Sequence, residues 1–104
     1  MPIKAKIEGE IITLAEAVEL TTNYRAAVPN GTKSYTVNAN LVRQVLDQQG
    51  CVDVRIYNGY NTTDNSICLI LIGVGANDQD LTGGIILDHM AKCPPRHTNS
   101  VLEQ

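Results

Sequence analysis

The residues best equipped for chemistry gather near the C-terminal end, where His89, Cys93 and His97 follow one another as H-x3-C-x3-H. Imidazole and thiolate are ligands that suit zinc, and on a helix the first two share a face. Pro94-Pro95 interrupts that helix, so His97 joins only if the chain folds back, and a fourth ligand has to come from Asp88, Cys51, Cys68 or water. Structural zinc sites are normally built on close pairs such as C-x2-C, which this chain lacks. The primary expectation is therefore no cofactor, with zinc on His89, Cys93 and His97 as the alternative. In the plainer account His89 is a surface residue and Cys93 a small apolar plug at the end of the helix. Cys93 is also a poor nucleophile there, because the dipole at a helix C-terminus raises a thiol pKa rather than lowering it.

A second constellation lies just upstream. Asp78, Asp80 and Thr82 resemble the DxDxT motif of haloacid-dehalogenase-type phosphatases, but a spacer, Gly73 to Asn77, precedes them and the residues that follow continue no α/β pattern. The same residues, with Gly83, occupy positions 1, 3, 5 and 6 of a calcium loop. Position 12 is His89 where the bidentate glutamate belongs, which removes two oxygens from a site needing six to eight. A solvated acidic loop that caps its own turns is the simpler reading.

Whatever chemistry these residues do must be positioned by one modest fold. The chain has 104 residues, enough for a single domain with a real core, and its last residues, 94–104, read as a mostly polar tail. With 43% hydrophobic and 18% charged residues it has the balance of a globular protein, and Leu, Ile, Val and Tyr must fill a core that has no Phe or Trp. The net charge of −3 is unclustered, which argues against nucleic acid as a partner. No apolar run approaches the length of a membrane span, and the opening residues show no signal core, so a cytoplasmic location is expected. Three cysteines fit reduced thiols.

The local signals then order the elements. Ile3, Ala5 and Ile7 alternate with charged residues and predict an edge strand. Thr13 to Glu16 is a capping box that opens a helix with a buried stripe of Leu14, Ala17, Val18, Thr21, Tyr24 and Val28, closed by Pro29-Asn30-Gly31. A short extended stretch, Ser34 to Val37, leads to a cap at Asn38 or Asn40 and a helix with Leu41, Val42, Val45 and Leu46 on one side. Gly50 is placed for the left-handed turn behind that helix. Two strands follow, 51–60 and 66–75, joined by Asn61 to Asn65, and a short helix carries Ile85, Ile86 and Met90.

This order is α+β: two helices packed on one face of a small antiparallel or mixed sheet centred on the 51–60/66–75 hairpin. A five-residue turn pairs residues whose numbers sum to 126, so Ile56 faces Ile70. One face then becomes a hydrophobic block under the helices. The other combines Arg55 and Tyr57 with Ile67, Leu69 and Leu71, a mixture too apolar for water alone. These five residues are the expected interaction face of a non-catalytic module that binds itself or another protein, with no role for nucleic acid or membrane. The alternative function is a small-ligand or metal-binding protein, or a minor enzyme, using residues 78–97.

Overall fold

The computed structural model describes residues 7–96 and 100–102 of the chain. Its elements are α1 (Leu14–Ala27), β1 (Ser34–Thr36), α2 (Ala39–Leu46), β2 (Cys51–Asn61), β3 (Ser66–Gly75), β4 (Ile86–Leu87) and β5 (Ala91–Cys93). Among the described residues there are two helices, a three-stranded antiparallel sheet, β2-β3-β4, and a two-stranded sheet, β1-β5, a mixed α+β fold. The described residues group into two compact units, one holding Ile7 and Val37–Met90, the other Glu8–Thr36 with residues 91–96 and 100–102. The strand expected at Ile3 to Ile7 lies outside the described residues apart from Ile7, which is exposed.

In the second unit, α1 begins where the capping box requires. The Thr13 hydroxyl accepts from the Glu16 amide at 3.1 Å, and the Glu16 carboxylate accepts from the Thr13 amide at 3.4 Å. The helix stops at Val28, whose amide donates to the Tyr24 carbonyl and whose successor is Pro29. The expected buried stripe is absent: α1 has no buried residue, and Leu14 is 66% exposed. Strand β1 pairs antiparallel with β5, Tyr35 opposite Lys92.

In the first unit, Asn38 caps α2 by accepting from the Asn40 and Leu41 amides at 2.8 and 3.3 Å. Val45 is fully buried and forms the core with Leu71 and Leu87, and Val37, Val42, Val54, Ile85 and Met90 pack against that cluster. Leu41 and Leu46, expected on the same apolar side, are exposed. Gly50 adopts φ +82° in the turn into β2, a geometry that costs other residues about 1–2 kcal/mol.

Gln48 ties the end of α2 to the segment before β4. Its Nε2 donates to the Val45 carbonyl at 2.9 Å, and its Oε1 accepts from the Ile85 amide at 2.8 Å. The side chain reaches both because Gly73 leaves room: a Cβ there would meet Gln48 Nε2 at 3.1 Å and Cys51 Sγ at 3.0 Å.

The expected helix near residue 86 is two short strands instead. Strand β4 pairs with β3, Leu71 opposite Leu87 and Ile72 opposite Ile86, so the exposed amides and carbonyls of the β3 edge capture the segment. His89, between β4 and β5, has φ +57°.

The hairpin register differs from the expected one by a residue. Asn61 pairs with Ser66 and Tyr57 with Ile70, leaving a four-residue turn that Asn65 helps to close at φ +54°. An irregularity between Cys51 and Asp53 interrupts the ladder.

Candidate functional site

Side chains alternate along strands, so a slip of one residue moves a strand's whole set to the opposite face. Arg55 and Tyr57 lie opposite Ile72 and Ile70 on one face. Ile56, Asn58 and Tyr60 lie opposite Leu71, Leu69 and Ile67 on the other. The five residues expected to form one interaction face, Arg55, Tyr57, Ile67, Leu69 and Leu71, are therefore divided between two. Leu71 belongs to the core as well, at 8% exposure.

On the first face, the loop after β3 folds back towards Arg55. The Leu81 amide donates to the Gly73 carbonyl at 2.9 Å, the Gly75 amide to the Gln79 carbonyl at 2.9 Å, and Val74 makes an isolated bridge with Asp80. Arg55 then forms ion pairs with Asp80 at 2.5 Å and Asp78 at 2.7 Å, while the Tyr57 hydroxyl donates to the second Asp80 oxygen. The hydrogen bond to Asp80 is the largest influence raising the Arg55 pKa, so the guanidinium stays charged. The same carboxylate, followed by burial, lifts the Tyr57 phenol above the usual tyrosine range. Two carboxylates engaged by a guanidinium and a phenol act as a clasp that anchors a loop. They are also the first two candidate calcium ligands, and a cation would have to displace Arg55 to reach both.

On the second face, burial changes along the hairpin. Near α2, Leu71 is in the core and Val54 packs against it. Towards the turn, Ile56, Tyr60 and Ile67 are 58%, 60% and 52% exposed. The reason is length. Eight residues of α2 span about 12 Å, whereas the eleven of β2 extend about 36 Å. The result is an apolar stripe of Ile56, Tyr60, Ile67 and half-buried Leu69, with Asn58 the one polar residue among them and no charge. Ile56 belongs to it although the expected register puts it in the hydrophobic block under the helices. The signal was in the turn: Asn65, a residue that tolerates left-handed geometry, permits the shorter connection.

The metal candidates are placed differently from expectation. The helix that was to align His89 and Cys93 does not form, Cys93 sits buried in β5, and His97 lies outside the described residues. Among the described residues no three His, Cys, Asp or Glu side chains converge on a metal-sized site, and no helix is long and apolar enough to cross a membrane.

No family model matches this chain, no curated protein matches it, and no solved structure matches it.

Proposed function

We propose that this protein is a non-catalytic module that self-associates through the apolar stripe on the outer half of its hairpin. The observation that carries the reading is the exposure of Ile56, Tyr60 and Ile67 on a sheet face whose other end is core. Exposed apolar residues grouped on one face, rather than scattered, mark association surfaces. The absence of charge supports a second copy as the partner: two copies related by a two-fold axis bring like surfaces together, and a stripe without ionised groups meets its own copy with no like-charge repulsion. Tyr60 adds a hydroxyl to a large apolar ring, a combination enriched at interface anchors. The module is read as cytoplasmic, where unbridged cysteines are the rule.

Sedimentation velocity and native mass spectrometry test this directly. The wild-type chain is expected to be a dimer, and Ile67→Glu to weaken association about 10- to 100-fold while keeping the wild-type circular dichroism and melting temperature. A wild-type monomer at high micromolar concentration, or a dimer indifferent to Ile67→Glu and Tyr60→Glu, overturns the proposal.

A further inference from the structure

The second unit holds a cavity of about 330 Å³ between α1, the approach to β1 and Leu102. That volume lies at the small end of the range for ligand sites, about 300–1,000 Å³. Its wall is mostly apolar, from Leu20, Tyr24, Tyr35 and Leu102, and among the described residues its charged members are both cations, Arg25 and Lys33. Among the described residues no carboxylate lines it, although acidic residues outnumber basic ones, 11 to 8, in the chain as a whole.

The wall is held in place by contacts independent of any occupant. Arg25 Nη1 donates to the Leu102 carbonyl at 2.6 Å and Nη2 to the Thr22 hydroxyl at 3.3 Å. The Lys33 amide donates to the Cys93 carbonyl at 2.7 Å, which fixes the backbone at the mouth of β1 while leaving the side chain out of that bond. Gly31 allows Tyr24 to close against the turn: a Cβ there would come within 2.5 Å of the phenol oxygen and 2.7 Å of Val28 Cγ1. A second observation points the same way. Although α1 is fourteen residues long and has a complete capping box, it has no buried residue, and Leu20 and Tyr24 are 61% and 41% exposed along this cavity. Apolar area of this kind is stabilised by removal from water, and an apolar occupant provides that cover.

The geometry points to a binding site for a small amphipathic carboxylate, its apolar body against Leu20, Tyr24 and Tyr35 and its anionic head held by Lys33 and Arg25. The complementarity is a cationic, mostly apolar recess that also carries Thr21 and Thr32, in an acidic chain, with a volume that admits a short fatty or aryl acid and excludes a macromolecule. Lys33 is the discriminating residue, since Arg25 also braces the wall through Leu102. This site is separate from the hairpin stripe and does not depend on self-association.

Octanoate, octanol and octyltrimethylammonium, titrated into ¹⁵N-labelled full-length protein and followed by amide chemical shifts, provide the test. Octanoate is expected to move residues 20–35 and Leu102 with a Kd of about 1 mM or tighter, with octanol weaker and the ammonium weakest. Lys33→Met should weaken octanoate about tenfold, leave octanol unchanged and keep the wild-type melting temperature. Absence of octanoate binding, equal binding of octanol, shifts confined to the hairpin stripe, or indifference to Lys33→Met would each overturn the assignment.

Discussion

The two helices of this protein invert the usual relation between local signal and burial. Helix α1 has fourteen residues, a reciprocal capping box, Glu16 in its first turn and Arg25 in its last, yet buries no residue. Helix α2 has eight residues and one capping side chain, yet carries Val45, which is fully buried. An isolated helix shorter than about 12–15 residues is marginal in water, so α2 depends on the hairpin beneath it, whereas α1 draws more of its stability from its own ends. The lesson is that capping chemistry states where a helix begins, and only the packing partner states what the helix is for.

The comparison predicts its largest contrast in the cores. Leu71→Ala should destabilise the unit containing α2 by about 2–5 kcal/mol in urea unfolding, because it removes a side chain from the Val45–Leu87 cluster and leaves a cavity. Leu14→Ala, at the exposed start of α1, should stay within about 0.5 kcal/mol of wild type. Equal losses would mean that α1 is packed as tightly as α2 in solution.

A smaller contrast separates the caps. Removing either cap costs about 0.5–2 kcal/mol, but the loss should be felt in different places. Asn38→Ala is expected to lower the unfolding midpoint of the α2 unit, since α2 delivers Val45 to the core. Thr13→Ala should instead raise amide exchange in the first turn of α1 and leave that midpoint in place. Hydrogen exchange read by mass spectrometry distinguishes the two.

The smallest effect concerns pH, and it sharpens the contrast by probing the clasp that only the α2 unit carries. The Tyr57 pKa is raised in the folded state, chiefly by its bond to Asp80, so the native protein holds that proton more tightly than the unfolded chain does. The stabilisation is therefore complete below about pH 10 and is lost as pH rises through the folded-state value. Melting curves above pH 10 should fall more steeply for the wild type than for Tyr57→Phe. Parallel curves would show that the phenol does not contribute.

Much of the secondary structure was legible because its signals are short-range. Thr13 with Glu16, Asn38, Gly50 and the two hairpin strands each act through bonds or dihedrals within a few residues, and the structure has all of them. The candidate site was legible only in part. Ile67 and Leu69 do lie on a partly uncovered apolar face, but Arg55 and Tyr57 lie on the other, because a turn of four residues instead of five flips the pairing. Ile86 shows the same limit. Its neighbours have helical spacing, but the edge of β3 offers backbone partners that no local pattern announces.

By itself, then, the sequence determined where α1 and α2 begin, where the hairpin strands run, and that the fold is α+β, since these depend on caps, glycines and periodicities spanning only a few residues. The tertiary structure decided the register of the hairpin, the partners of Arg55 and the exposure of Ile56, Tyr60 and Ile67. It also decided that the flank of α1 lines a cationic cavity rather than a core. Each of these follows from which distant segments meet, and that depends on the packing of the whole chain.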